Sequence, residues 1–305
     1  MITRRKFLKG FSAFTGATFG FSGYALAVEP MRLNVTRYQL TPPAWPKGLG
    51  LRIAVLADVH ACEPWMSADR IAAIVARTNA LQPDLILLLG DYMAAHRFVT
   101  RHVPPEAWAE ALATSRAPLG VHAVLGNHDW WDDHAAQREG KGPVFARRAL
   151  ERAGVPVYEN DAVRLTKGGR PFWVAGLGDQ LALLGSRWRY HRRVGMDDLT
   201  GTLAKVKDDA PVILMAHEPD VFVRMPDRVS LTVSGHTHGG QVRMLGYAPV
   251  VPSRYRNRYA YGHVVERNQH LVVSGGLGCS IAPIRFGVPP EIVLMEVGSG
   301  AGAVS

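Results

Sequence analysis

The sequence predicts a layered α/β domain, with two packed sheets and helices on the outside. Three observations carry this. Apolar runs of strand length alternate with longer segments of helical periodicity. Residues 50–297 show no internal repeat and no composition shift that would mark a linker, so one domain accounts for them. Five apolar runs each lead into residues of metal-ligand type: Asp58-Val59-His60, Gly90-Asp91, Gly126-Asn127-His128-Asp129, Ala216-His217-Glu218, and Gly235-His236-Thr237-His238-Gly239-Gly240-Gln241. In sheets of this kind, ligands gather at the carboxyl edge of the strands.

The elements follow in order. Residues 31–50 are Pro-rich and read as a strand followed by a surface loop. Residues 51–57 form a buried strand that delivers Asp58 and His60. Ser67 is placed to cap a helix reaching Ala80, with Ile71, Ile74 and Val75 on one face, and Pro83 stops its continuation. Residues 85–89 form the next strand, 105–115 a helix, and 121–125 a third strand ending at Asn127. A helix is expected over 143–153, with Val144, Ala149 and Leu150 facing the core. Residues 163–166 and 172–175 flank Lys167-Gly168-Gly169-Arg170 and read as a hairpin. Strand 212–216 delivers His217, and strand 229–233 delivers the His-Thr-His turn, whose glycines permit a sharp bend. Late strands are expected at 271–274 and 292–295.

The amino terminus has a different character. Thr3-Arg4-Arg5-Lys6-Phe7-Leu8-Lys9 precedes a mildly apolar stretch rich in Phe, Ala, Gly and Ser, and then Ala25-Leu26-Ala27, a small-x-small pattern. Residues 1–30 therefore read as a twin-arginine signal peptide, or as an amino-terminal anchor if uncleaved. The expected division is this segment, a catalytic domain over 31–298 and a tail over 299–305. Expected partners are the twin-arginine export machinery and a membrane surface. The expected location is the periplasm or the outer face of the inner membrane.

The formal charge is +9; residues 1–30, with Arg4, Arg5, Lys6, Lys9 and Glu29, hold +3 of it. The remaining excess fits an anionic substrate or membrane and requires no nucleic acid. Two cysteines, Cys62 and Cys279, are too few for a disulfide framework, and they read as unpaired. The stretches Arg187-Trp188-Arg189-Tyr190-His191-Arg192-Arg193 and Arg254-Tyr255-Arg256-Asn257-Arg258-Tyr259 read first as solvated faces, with a grip on a lipid headgroup, a phosphorylated sugar or a nucleotide as the alternative. His102, His122, His134, His263 and His270 lack a supporting pattern and read as structural.

The ligand candidates are Asp58, His60, Asp91, Asn127, His217, His236 and His238. A set of carboxylate, imidazole and amide without thiolate suits Mn, Fe, Zn or Mg. Seven ligands are too many for one small ion and about right for two divalent metal ions sharing a carboxylate. In type, order and spacing the five motifs resemble those of the calcineurin-like metallophosphoesterases. The ending Ser274-Gly275-Gly276-Leu277-Gly278, Arg285-Phe286 and Pro289-Pro290-Glu291 is similar to an exported branch of that family. The resemblance implies a four-layer α/β/β/α sandwich. It places Asp58, His60 and His238 on one ion, Asn127, His217 and His236 on the other, and Asp91 between them. His128 would stand outside the metal shell as the catalytic residue facing the leaving group. A water activated between the ions would attack a phosphodiester, phosphomonoester or pyrophosphate in line, with an envelope or lipid-linked substrate favoured. The alternatives are an exported nuclease or nucleotide phosphodiesterase, and a non-catalytic metal-retaining envelope-binding protein. In one respect the chain departs from the family's protein phosphatases. Ala94 occupies the position of an acidic residue that orients the catalytic histidine there, leaving Asp129 or His96 to substitute.

Overall fold

The computed structural model describes residues 22–185 and 193–298. Residues 1–21, most of the basic-aromatic stretch 187–193, and the tail lie outside the described residues. The strands are β1 (Asn34–Leu40), β2 (Leu51–Leu56), β3 (Cys62–Glu63), β4 (Leu85–Leu88), β5 (Arg101–His102), β6 (Val121–Ala123), β7 (Asp161–Lys167), β8 (Arg170–Gly176), β9 (Val212–Met215), β10 (Leu231–Ser234), β11 (Gly262–Glu266), β12 (Gln269–Val273) and β13 (Glu291–Val297). The helices are α1 (Ala68–Ala80), α2 (Pro105–Ala113), α3 (Asn127–Trp131), α4 (His134–Glu139), α5 (Phe145–Arg152) and α6 (Leu199–Ala204), with short 3₁₀ turns between.

Two large mixed sheets result, ordered β1-β13-β2-β4-β6 and β11-β12-β10-β9-β8-β7. In the first, β2, β4 and β6 run parallel; in the second, β8, β9, β10 and β12 do. Their side chains alternate with the period of two that a strand imposes. Ile53, Val55, Leu85 and Leu87 from one sheet meet Val174, Ile213, Met215 and Val233 from the other in the inter-sheet core. On the opposite face Ala54, Leu56, Ile86 and Leu88 meet Ile71, Ile74, Val75, Trp108, Leu112 and Leu150 from α1, α2 and α5. The outer face of the second sheet packs Ala175, Val212 and Leu214 against Val221, Phe222 and Tyr259. Three apolar seams between four layers realise the expected sandwich.

Local chemistry explains where elements begin and end. The Ser67 hydroxyl accepts the Arg70 N–H (3.1 Å), closing the first turn of α1. The strand expected from Val229 starts at Leu231, because Val229 closes a turn on the Pro226 carbonyl (3.1 Å). Strand β11, whose side chains are alternately half-buried and exposed, carried little apolar signal; its pairing with β12 supplies its order.

The sequence reading sets residues 1–30 apart from the fold, yet residues 22–31 pack on it. Two short helical turns cover Tyr24–Val28 and Glu29–Met31. The Arg285 N–H donates to the Ala25 carbonyl (3.0 Å), and the Arg70 guanidinium donates to the Pro30 carbonyl (2.6 Å). Ala25 and Glu29 are buried. Among the described residues no helix is long and apolar enough to cross a membrane.

Candidate metal centre

The parallel strands of both sheets end at one edge, and the chain bends there at considerable conformational cost. Asp58, His60, Asp91, His236 and His238 all take positive φ, between 47° and 69°. A non-glycine residue held in that region costs on the order of 1–3 kcal/mol, and such strain concentrates at functional sites. Two glycines make the convergence sterically feasible. A Cβ on Gly126 would stand 2.3 Å from Asp91 Oδ1, and one on Gly235 would stand 2.5 Å from Asp58 Oδ2.

All seven sequence-derived ligand candidates arrive in one buried cavity. Asp58, His60 and His238 form one group of ligand atoms, and Asp91, His217 and His236 a second, the atoms of each lying within 4.8 Å of one another. His60 Nε2 is 3.1 Å from His238 Nε2, and His238 Nε2 is 3.5 Å from Asp58 Oδ1. Asn127 Oδ1 lies 2.8 Å from His236 Nδ1. Asp91 Oδ2 lies 3.6 Å from His60 Nε2 and 3.3 Å from His217 Nε2, so a single carboxylate oxygen faces both groups.

Backbone carbonyls set the imidazole tautomers. His60 Nδ1 faces the Met93 carbonyl (2.7 Å), and His217 Nδ1 faces the Leu89 carbonyl (2.7 Å). His236 Nε2 faces the Pro252 carbonyl (2.8 Å). A proton on each of these nitrogens turns the other nitrogen's lone pair into the cavity, as metal-binding histidines require. His217 Nε2 has no hydrogen-bond partner, and converging lone pairs repel unless a cation lies between them.

The electrostatics agree. Burial pushes the His60 imidazole down to about 3, and His238 well below its ordinary value, so both favour the neutral, ligating form. Burial drives the Asp58 carboxyl up to about 7, opposed by His217. Burial also acts to raise Asp91, but His217 and His128 hold it well below the usual carboxylate range. Burial acts to lower His217, yet Asp91 carries it well above the usual imidazole range. The donor set therefore suits a divalent cation, which would stabilise both carboxylates, find His60 and His238 already neutral, and displace the proton that Asp91 favours on His217.

His128 sits apart from the two groups. Its backbone N–H donates to Asp91 Oδ1 (2.8 Å), and its ring lies edge-on to His60 and Trp131, with centroids 5.3 and 4.9 Å away. Neither expected substitute for the missing acidic residue orients this ring. Both Asp129 carboxylate oxygens are spent on backbone, accepting the N–H groups of Asp91, Gly126 and Tyr92 at 2.8–2.9 Å. Both ring nitrogens of His96 lack a hydrogen-bond partner. The ring packs instead against Trp131.

Several site residues escaped the sequence reading. Asp179 and Glu218 form a buried carboxyl pair beside His217; burial and Glu218 hold Asp179 well above the usual carboxylate range. Buried Arg285 brings Nη2 to 3.3 Å from His238 Nδ1. Only the pairing of Glu218 with His217 in the sequence signalled any of this. A cleft of about 530 Å³ opens on His236 and is lined by Arg193, Arg254 and Tyr255 among others. Both basic-aromatic stretches thus send residues to the cleft, with Arg193 stacked 4.0 Å over Trp131, whereas Arg258 pairs with Glu266 on the surface. The remaining histidines are structural as expected where contacts define them: His122 bonds Tyr158 and the Leu119 carbonyl, and His263 pairs with His270. Cys62 and Cys279 are free and buried.

Comparison with known proteins agrees with this geometry. The family model for calcineurin-like phosphoesterases matches residues 51–240, the span from β2 to the last histidine of the centre. The chain is 29% identical to the uncharacterized metallophosphoesterase YkuE of Bacillus subtilis, covering 98% of both chains. It is 28% identical to the phosphodiesterase YaeI of Escherichia coli, over 97% of this chain and 100% of that one. It is 27% identical to the UDP-2,3-diacylglucosamine pyrophosphatase LpxG of Chlamydia trachomatis, over 90% and 92%. The protein is a hydrolase of phosphoric esters. It belongs to the calcineurin-like phosphoesterase family.

Gly126→Ala tests the close approach at the centre. The added methyl forces Asp91 and His217 apart, and a displacement near 1 Å costs about 10²-fold in rate. Bound metal per chain and turnover of bis(p-nitrophenyl) phosphate should both fall. Unchanged values would show that the cavity tolerates what its geometry forbids.

Proposed function

We propose that the protein is an exported dinuclear phosphoesterase that cleaves a phosphodiester or pyrophosphate in an envelope or lipid-linked substrate. The observation that carries the dinuclear reading is the Asp91 carboxylate oxygen, 3.6 Å from His60 and 3.3 Å from His217. Asp58, His60 and His238 would hold one cation and Asn127, His217 and His236 the other, with Asp91 available to both. Divalent ions bound there supply Lewis acidity, polarising the phosphoryl oxygens and acidifying a water at neutral pH. The set of oxygen and imidazole donors suits Mn, Fe, Zn or Mg.

The chain's own residues supply the rest. The Met93, Leu89 and Pro252 carbonyls keep the ligand imidazoles oriented. His128, fixed through its backbone to Asp91 and through its ring to Trp131, gives a proton to the departing oxygen. Arg193 and Arg254 line the cleft beside His236 without a carboxylate within salt-bridge distance among the described residues, so both are free to hold phosphate oxygens. A cleft of that size, with Asp197, Glu218 and Asp220 as well as Arg193, Arg224 and Arg254 in its lining, admits a substituent beyond the scissile phosphate. A phosphodiester or pyrophosphate has such a substituent, as the names of the Escherichia coli and Chlamydia trachomatis relatives indicate for those proteins.

His128→Ala tests the acid role. Metal content and fold should persist while kcat falls roughly 10²–10⁴-fold for alkyl esters. The loss should shrink for nitrophenyl esters, whose leaving group departs without a proton. Equal losses across the leaving-group series would replace the acid role with an electrostatic one, and loss of metal would bring His128 into the ligand shell.

Export rests on the sequence of residues 3–27. Changing Arg4 and Arg5 together to Lys should leave the precursor in the cytoplasm, as fractionation and immunoblotting would show. Undiminished appearance of the variant beyond the inner membrane would rule out the twin-arginine route.

A further inference from the structure

Beside the metal centre stands a lobe whose surface runs against the usual rules for a soluble enzyme. After the His-Thr-His turn, the chain forms a tight hairpin in which Met244 and Tyr247 exchange backbone hydrogen bonds, both 2.9 Å. The two tip residues, Leu245 and Gly246, have φ of 50° and 81°. A two-residue turn with positive φ at both central positions favours Asn, Asp or Gly. Here leucine occupies the first position, with a relative exposure of 105%. The nearby loop repeats the pattern: Ile281, β-branched and 73% exposed, has φ of 64°. Isoleucine in that conformation is a genuine outlier. Two apolar side chains are thus held in water on backbone that disfavours them, and neither contributes to the core. Met244, Tyr247 and Val250 are exposed on the same hairpin.

These segments form one surface. Gln241 donates to the Ala282 and Ile284 carbonyls (3.1 and 3.2 Å), tying the 280–286 loop to the base of the hairpin. The Arg243 N–H donates to the Phe286 carbonyl (2.7 Å). The Phe286 ring in turn meets Tyr24 edge-on at 6.3 Å. The amino-terminal segment, with its basic residues Arg4, Arg5, Lys6 and Lys9 and its apolar stretch, therefore joins the described chain at Ser22 beside this lobe.

Charge identifies the occupant. Residues 241–265 contain Arg243, Arg254, Arg256 and Arg258 and no Asp or Glu, with Arg258 paired to Glu266 just beyond; residues 275–290 hold no acid, and their one arginine, Arg285, is buried. Arg243, Arg254 and Arg256 have no carboxylate within 4.0 Å among the described residues. Exposed apolar side chains, an aromatic ring and unpaired guanidinium groups together match the boundary between acyl chains and anionic headgroups. Asp220 accepts from Ser253 and from the Arg254 N–H, and Glu266 pairs with Arg258, so the unpaired positive charge is that of Arg243, Arg254 and Arg256.

We infer that the hairpin tip at Leu245 and the loop tip at Ile281 dock the domain on an anionic phospholipid bilayer. The same stretch of chain that carries the tip continues into Pro252, Arg254 and Tyr255, which line the cleft, so docking brings the cleft mouth to the lipid surface. The inference stands whichever phosphoric ester is cleaved.

The test uses the full, metal-loaded chain. Leu245→Cys is labelled with an environment-sensitive nitrobenzoxadiazole probe; Cys62 and Cys279 are buried and stay unlabelled. With phosphatidylglycerol vesicles the probe's emission should shift blue and be quenched by shallow spin-labelled lipid, and with pure phosphatidylcholine it should not. The double variant Leu245→Asp, Ile281→Asp should float with phosphatidylglycerol vesicles on the order of tenfold more weakly, or weaker still. Its hydrolysis of soluble bis(p-nitrophenyl) phosphate should be unchanged. A probe that stays solvent-like while the chain floats would assign attachment to residues 1–21 and overturn the inference. Equal vesicle affinity of a folded double variant would overturn it too. Loss of self-association in that variant, with vesicle binding intact, would give the surface to a second copy of the chain instead.

Discussion

The Asp91 carboxylate is buried among imidazoles, and the edge of the fold where the strands end is arranged around it. It reaches its place through a left-handed backbone, preceded by Gly90 and approached by Gly126 from the neighbouring segment. Its two oxygens have separate tasks: Oδ1 accepts the His128 N–H, and Oδ2 faces His60 and His217. Asp129 secures it from behind by accepting the Asp91 and Gly126 N–H groups, linking the ends of β4 and β6. An isolated carboxylate in such a place would be expensive. Its stability as a charge depends on neighbours that are positive or able to hold a cation, and those neighbours come from both sheets. The sandwich is therefore the device that brings the two halves of the centre together.

Much of this was legible in the sequence, for a definable reason. Buried parallel strands are short apolar runs, and functional residues follow directly at their ends, so Asp58, Asp91, Asn127, His217 and His236 could be read by position alone. The layers followed from the alternation of runs with helical segments such as Ala68–Ala80, whose cap at Ser67 is a local signal. What stayed hidden depends on contacts between distant segments. Arg285 reaches His238 across 47 residues, and Asp179 meets Glu218 across 39. Trp131 steadies His128 only because a five-residue helix begins at Asn127, too short to leave a periodic pattern. The packing of Ala25 and Pro30 was hidden for the same reason: it depends on hydrogen bonds donated by Arg285 and Arg70, both distant in sequence.

Three features that the family motifs do not explain lie on one side of the centre. The cleft, the basic hairpin lobe and the packed amino-terminal segment are connected through residues 241–255 and 285–286. An enzyme whose substrate is fixed in an envelope faces a geometric problem that one acting on a soluble ester does not. Its site must be held at a definite height and orientation relative to a surface. A basic, apolar rim continuous with the cleft is a physical solution to that problem, and it uses side chains that the hydrolytic step itself does not need.

Because the account depends on a carboxylate shared between two cation sites, the most direct measurement is anomalous diffraction from crystals of the manganese-loaded protein. Two peaks are expected on either side of Asp91 Oδ2, one against Asp58, His60 and His238, the other against Asn127, His217 and His236. A single peak, or one displaced to the Asp179–Glu218 pair with Asp91 uncoordinated, would contradict it.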